Sequence, residues 1–130
     1  MKYIVYVFYM EILLNFVSIF QTLFAPATFL ASLTNQTMPP AALEMARWYG
    51  VLMCVLTYLL LRGLQKRGSA FILVLEALLV GDVIQIAVAL VTARILNGWP
   101  LSVISSIVLS IILGTARFIC LWKPNETGIK

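Results

Sequence analysis

The sequence predicts an all-α integral membrane protein, a four-helix bundle with both termini in the cytosol. Of its 130 residues, 62% are hydrophobic and 11% are charged, and the mean hydropathy is +1.03. That composition leaves too few polar residues for an ordinary water-exposed surface. Because about 20 apolar residues are needed to cross the hydrocarbon layer, four crossings use nearly the whole chain. We therefore expect a single transmembrane domain, residues 1–130.

The first two helices are bounded by prolines and polar residues. The first helix is predicted over residues 3–24, an apolar run that Pro26 ends. Pro39 and Pro40 mark a polar connector, since prolines and amides are poorly suited to lipid. The second helix is predicted over residues 44–61.

The remaining helices are predicted over residues 71–92 and 101–122. A short basic segment with two glycines separates the second helix from the third, which predicts a tight hairpin. This segment contains Arg62, Gly63, Lys66, Arg67 and Gly68. All five prolines of the chain lie at helix ends or in connectors, where they interrupt no helical hydrogen bonds.

Basic residues are concentrated on one side of the predicted bundle. They are Lys2, Arg62, Lys66, Arg67, Lys123 and Lys130, against Arg47 and Arg94 near the other side. The positive-inside rule then places both termini in the cytosol, and in a eukaryote the protein would be a multi-pass protein of the endoplasmic reticulum. Glycosylation sequons occur at residues 35–37, in the predicted lumenal connector, and at 125–127, in the cytosolic tail. The net charge of +4 is best explained by anionic membrane lipid, so nucleic acid is not an expected partner.

The chain offers few ligands for a cofactor. It has no histidine, and its two cysteines form no Cys-x-x-Cys motif. Cys54 and Cys120 lie at different predicted depths, too far apart for a disulfide. We therefore expect no cofactor and no metal site.

Polar residues nevertheless occur inside the predicted spans. They are Glu11, Asn15, Glu76, Asp82, Gln85 and Arg117. A charge at the centre of a membrane helix costs about 2.5–3.5 kcal/mol on insertion scales, so such residues usually face the bundle interior and serve a function. On each helix most of the polar residues follow a single stripe, which predicts one shared polar interior. Glu76 lies roughly 120° around the third helix from Asp82 and need not face the same cavity.

Depth along the helices predicts which of these residues meet. Arg117 lies near the depth of Glu11 and Glu76, and we expect it to neutralise one of them. Asp82 and Glu11 are the better candidate pair of reacting carboxyls, bridged by Asn15. Asp82 follows a glycine, Gly81, whose missing side chain would let a helix or a ligand approach. We expect Asp82 to serve as a proton donor and not as a permanent salt-bridge partner.

Two carboxyls in one apolar pocket favour metal-free acid/base catalysis, with one acid and one base. The candidate catalytic residues are Asp82, Glu11 and Glu76, with Arg117 as a structural charge. Candidate substrate-positioning residues are Asn15, Arg47, Tyr49, Tyr58 and Gln85. A structural alternative exists for Arg47, which could form an ion pair with Glu44 at the start of its helix. Serines of the fourth helix are more simply explained as helix-packing residues.

Three short features carry a resemblance to known families. They are the Arg47-Trp48-Tyr49-Gly50 opening of the second helix, the Gly81-Asp82 step and Arg117. The chain resembles small four-helix membrane proteins of the DoxX-like kind, and it is similar to the small membrane epoxide hydrolases and cyclases of fungal polyketide pathways. This resemblance implies an enzyme of secondary metabolism that opens or cyclises the epoxide of a lipophilic polyketide.

Two other functions fit the sequence. One is an isoprenoid isomerase or cyclase that acts through a cation and needs an aromatic-lined pocket. The other is a non-catalytic accessory subunit whose buried charges pair with those of a larger membrane complex. A lipophilic small molecule and membrane lipid are the expected partners, and the sequence also leaves room for a homo-oligomer.

Overall fold

The computed structural model describes residues 4–31, 38–95 and 98–123. Every regular element in these ranges is an α-helix, in the order α1 (Ile4–Phe24), α2 (Pro26–Ala31), α3 (Pro40–Lys66), α4 (Gly68–Ile95) and α5 (Leu101–Trp122). Helices α1, α3, α4 and α5 are each long and apolar enough to cross a membrane. The predicted all-helical architecture with four membrane-length helices is therefore confirmed. Both sequons, Lys2 and Lys130 lie outside the described residues.

Two long helices extend beyond their predicted limits. Helix α3 begins at Pro40 and ends at Lys66, and α4 continues to Ile95. Hydropathy marks only the part of a helix that lies in hydrocarbon, whereas its polar ends keep their hydrogen bonds in the headgroup region. Pro40 fits the start of α3 because the first turn of a helix needs no N–H from that residue.

The short helix α2 was not predicted. Pro26 was expected to end the helical structure, but it begins α2, and the backbone hydrogen bonds nearly continue across the junction. Ala25 N donates to Gln21 O at 2.9 Å, and Phe29 N donates to Ala25 O at 3.1 Å. Helix α1 therefore ends at Phe24 as predicted, and Pro26 begins a short second helix whose hydrogen bonds nearly continue those of α1.

The predicted hairpin between α3 and α4 is very tight. Arg67 and Gly68 both have positive φ, at 53° and 71°, and Arg67 N donates to Gly63 O at 2.8 Å. Glycine at position 68 adopts this backbone at little cost. Glycine at position 63 leaves room for the ring of Phe71, since a Cβ there would lie 2.7 Å from the ring. The two helices can therefore reverse direction and still pack closely.

The long helices form two antiparallel pairs, α1 with α3 and α4 with α5, which meet tightly at one end. We call this the closed end; it contains the start of α1, the α3–α4 turn and the end of α5. Its core consists of Phe8, Ile12, Leu60, Leu64, Phe71, Leu75, Ala116 and Cys120. Phe8 and Phe71 pack edge to face, with ring centroids 6.1 Å apart.

Towards the opposite end each pair has its own contacts. A smaller cluster of Ala89, Ala93 and Val103 joins α4 to α5. Gly50 of α3 lies against the Thr22 hydroxyl and the Leu23 side chain of α1. Because these contacts stay within a pair, a space remains between the two pairs beyond the closed end.

Candidate functional site

An arginine and two carboxyls form a buried cluster next to the closed end. Arg117 of α5 donates through Nη2 to Glu11 Oε1 of α1 and through Nη1 to Asp82 Oδ2 of α4. The side chains of Arg117, Glu11 and Asp82 are 2%, 8% and 12% exposed. We call these three residues the charged cluster. It joins three helices through charge-assisted hydrogen bonds, which are stronger than neutral ones.

The charged cluster corrects part of the predicted pairing. Arg117 does pair with Glu11, as expected, but its second partner is Asp82 and not Glu76. Glu76 is exposed, because it lies roughly 120° around α4 from Asp82. The prediction that Asp82 avoids a salt bridge is wrong. The bridge between the two carboxyls is Arg117, and not Asn15 as predicted.

A glycine of α5 makes room for Asp82. A Cβ at Gly114 of α5 would lie 3.4 Å from Asp82 Oδ2 and 3.5 Å from Asp82 Cβ. A Cβ at Gly81 would have no heavy atom within 4 Å. The close approach of α5 to α4 at Gly114 therefore sets the position of the carboxyl. Among the described residues no neighbouring helix approaches Gly81, which borders the open space between the helix pairs.

The hydrogen-bonding capacity of the charged cluster is incompletely used. Glu11 Oε2 and Arg117 Nε are buried and have no hydrogen-bond partner in the part of the chain that the structure describes. The cluster contains two carboxyls and one guanidinium, so it is electrically neutral when one carboxyl holds a proton. An uncompensated charge is costly at such a place. The arrangement is therefore chemically suited to holding and releasing one proton.

A polar cleft of about 690 Å³ extends from the charged cluster between the helix pairs. It continues towards the end of α1 and the start of α5. Its polar lining consists of Glu11, Asn15, Ser18, Tyr49, Asp82, Gln85, Ser102, Ser105, Ser106, Ser110 and Arg117. Its volume lies within the range of about 300–1,000 Å³ that is typical of small-molecule sites.

A second, apolar cleft of about 610 Å³ adjoins the polar one. It lies between α3, α4 and α5, and α2 contributes to one wall. The two clefts share five lining residues, which are Phe29, Tyr49, Gln85, Ser102 and Ser106. At this junction Phe29 and Tyr49 stack, with centroids 6.3 Å apart and planes 21° apart.

Three of the predicted positioning residues lie at the clefts and two do not. Asn15, Tyr49 and Gln85 all line the polar cleft. Arg47 forms the alternative ion pair with Glu44 on the outside of α3, and the two side chains are 47% and 60% exposed. Tyr58 is 60% exposed and lines neither cleft. Both residues lie on faces of α3 turned away from the space between the pairs.

The serines of α5 contribute more to the polar cleft than the sequence predicts. They were expected mainly to pack helices together, yet Ser102, Ser105, Ser106 and Ser110 all line the polar cleft. Gln85 Nε2 donates to Ser106 Oγ at 2.8 Å, so this serine both joins α4 to α5 and faces the cleft. The other residue that sequence reasoning missed is Phe29, because α2 was interpreted as a connector.

Comparisons with protein-family models, with curated proteins and with solved structures found no match to this chain. The resemblance to DoxX-like proteins and to small membrane epoxide hydrolases therefore stays a prediction. Within the described ranges, no group of three or more Cys, Asp or Glu side chains is placed to hold a metal ion.

Proposed function

We propose that the protein is a membrane enzyme that opens or cyclises the epoxide of a lipophilic substrate, such as a polyketide, by acid/base catalysis. One observation carries the proposal. Glu11 and Asp82 are held by a single arginine at the base of a 690 Å³ polar cleft between membrane-length helices. An acid and a base at one end of such a cleft match the needs of epoxide opening.

The charge of the cluster supports this chemistry. With one carboxyl protonated and the other ionised beside Arg117, the three groups are neutral as a set, and the site holds one acid and one base. Two carboxyls with divided roles are a recurrent solution for acid/base chemistry near neutral pH. We assign the acid to Asp82 and the base to Glu11, whose Oε2 has no hydrogen-bond partner among the described residues.

In the proposed reaction each carboxyl transfers a proton. The Asp82 carboxyl gives its proton to the epoxide oxygen while the carbon–oxygen bond breaks and its electron pair stays on that oxygen. Glu11 removes a proton from water, whose oxygen forms the new bond to carbon, and the product is a vicinal diol. Transfer of a proton from Glu11 back to Asp82 restores the site. In the cyclising reaction a hydroxyl of the substrate replaces water and the product is a cyclic ether.

A second candidate is an isoprenoid isomerase or cyclase. The observation that favours it is the stacked pair of Phe29 and Tyr49 at the cleft, since aromatic faces stabilise a passing cation. The accessory-subunit alternative has less support, because the buried charges already pair within this chain.

The catalytic proposal is tested with three carboxamide variants of the purified protein. Asp82→Asn and Glu11→Gln keep volume and hydrogen bonding but remove proton transfer, so diol formation from 1,2-epoxyhexadecane in ¹⁸O-water should fall by about 10²–10⁴-fold. Glu76→Gln is the matched control, since it changes a carboxyl on α4 that is exposed and lines neither cleft. Rates of Asp82→Asn and Glu11→Gln within a few-fold of the parent would refute the assignment. Conversion of an allylic isoprenoid without water incorporation would favour the second candidate.

Cytosolic termini belong to the same proposal, as does the endoplasmic reticulum as the location if the host is a eukaryote. The support for the orientation is the excess of lysine and arginine beside the termini and the α3–α4 turn. A reporter fused to the C-terminus should be accessible to protease on the cytosolic side of sealed vesicles. Protection of that reporter would reverse the orientation.

A further inference from the structure

We infer that the substrate is a single elongated amphiphile, with its oxygenated reacting end in the polar cleft and an apolar chain or ring system in the apolar cleft. This inference rests on the proposed function and specifies its substrate class. It is based on three observations: the contrast in lining between the clefts, the continuity of the clefts, and the structure of their junction.

The two clefts differ in charge. The polar cleft contains the charged cluster, whereas no charged side chain among the described residues lines the apolar cleft. The polar residues of the apolar cleft are the four that it shares with the polar cleft at their junction, together with Thr92, whose hydroxyl donates to Val88 O. Met45, Val88, Ala89 and Val103 are among the residues that give the apolar cleft its surface. Burial of apolar surface is favourable only where no polar group loses its hydrogen bonds. The apolar cleft therefore suits hydrocarbon, and an oxygen-rich group is better placed beside the charged cluster.

One molecule can occupy both clefts because they are continuous at their shared residues. On one side of the junction, Gln85 is held by its hydrogen bond to Ser106, in which the side-chain amide nitrogen is the donor. The stacked rings of Phe29 and Tyr49 also line both clefts there. A polar group bound near Gln85 would thus mark where the oxygenated part of the substrate ends and its apolar part begins.

The size of the clefts also favours an elongated molecule. Each cleft alone has the volume of a typical small-molecule site, at about 690 and 610 Å³. A compact epoxide would fill only the polar cleft and leave the apolar one without a role in binding. The reacting end lies near the closed end, so the apolar part must extend past the junction towards the start of α5.

Photolabelling can locate both parts of such a molecule. Two forms of 1,2-epoxyhexadecane are prepared, one with a diazirine beside the epoxide and one with a diazirine near the far end of the chain. The purified full chain in nanodiscs is irradiated with each probe, and labelled residues are mapped by peptide mass spectrometry. The head probe should label the surroundings of Asn15 and Ser110, and the tail probe those of Met45, Val88 and Val103.

A pair of adjacent alanines supplies the matched variants. Ala42 lines the apolar cleft, whereas its neighbour Ala41 is exposed and lines neither cleft. Ala42→Phe should reduce tail labelling in the apolar cleft by about tenfold or more, because it fills part of the space, and should leave head labelling unchanged. Ala41→Phe should change neither. Excess unlabelled 1,2-epoxyhexadecane should suppress tail labelling, and excess phosphatidylcholine should not.

Several results would overturn the inference. The first two are tail labels confined to the outer surface of the bundle and tail labels in the polar cleft. The third is an equal effect of Ala41→Phe and Ala42→Phe on tail labelling. The fourth is suppression of tail labelling by phosphatidylcholine, which would identify ordinary lipid as the occupant. Labelling of the unmodified protein decides the matter even if Ala42→Phe fails to fold. The expected labelling without diol formation would refute the catalytic proposal alone. Diol formation with tail labels elsewhere would refute the amphiphile alone.

Discussion

Replacement of Arg117 by leucine should destabilise the protein more than any single change at its two partners. In this variant Glu11 and Asp82 stay buried between the helices, but the cation that pairs with both of them is lost. Removal of one member of a buried ion pair typically costs about 3–5 kcal/mol, because the charge that stays behind is uncompensated. We expect a loss of this size in the free energy of unfolding of Arg117→Leu.

The composition of the charged cluster also predicts which variants lose more free energy of unfolding. Glu11→Gln or Asp82→Asn leaves one carboxylate beside one guanidinium, which is a neutral pair, and the new amide oxygen can still accept from Arg117. A hydrogen bond to a charged group contributes about 1.5–3 kcal/mol, and only part of it is lost in these variants. Each should therefore cost less than Arg117→Leu. Addition of both amides to Arg117→Leu should recover part of the lost stability, because no buried charge then lacks a partner.

Equilibrium unfolding in mixed micelles, with increasing dodecyl sulfate and helicity as the signal, measures these differences. Arg47→Leu is the control, since its ion pair with Glu44 is largely exposed and such pairs contribute about 0–1 kcal/mol. A loss of stability in Arg117→Leu no larger than that in Arg47→Leu would show that the charged cluster does not stabilise the protein. Additive effects of the amide substitutions and Arg117→Leu would likewise contradict the cluster, because additivity would mean that these side chains do not interact.

Two further predictions use the same measurement. Gly50→Ala should lower the free energy of unfolding by about 1–3 kcal/mol, because its Cβ would press against the Thr22 hydroxyl. Gly81→Ala should be close to neutral, because no described heavy atom lies within 4 Å of its Cβ. Equal losses in the two variants would contradict the helix packing. Gln85→Leu should lower the free energy of unfolding by on the order of 0.6 kcal/mol, the average for a hydrogen bond between membrane helices. A double-mutant cycle with Ser106→Ala should give a coupling energy of that size. A coupling energy of zero would mean that this hydrogen bond contributes nothing to stability.

Hydrophobicity was sufficient to locate four of the five helices. The limits of α5 agree with the prediction, because Pro100 precedes the helix and Lys123 follows it. The ends of α3 and α4 were placed too far inwards, since a polar helix end in the headgroup region carries no hydropathy signal. Helix α2 was missed because a single proline is equally compatible with a helix start and a connector.

The error over Asp82 has a geometric cause. A depth counted in residues from each helix end assumes that all the helix ends lie at one level. Gly114 lies beside Asp82, so in an antiparallel pair the last residue of α5, Trp122, is level with about residue 74 of α4. Helix α4 starts at Gly68, roughly 9 Å further out. This offset brings Asp82 down to the reach of Arg117, and only packing between helices determines it.

The outer edge of the polar cleft lies at the level of the middle of the helices. Leu52 of α3 and Leu109 of α5 both line it, yet they are 54% and 43% exposed, so the opening faces sideways, where hydrocarbon would surround the bundle. A substrate dissolved in the bilayer would then reach the cleft by two-dimensional diffusion without passing through water. Occupancy of the cleft would depend on the mole fraction of the substrate among the lipids. Dilution of the membrane with inert lipid, at constant total concentration of substrate, should therefore slow its capture, whereas added buffer volume should not.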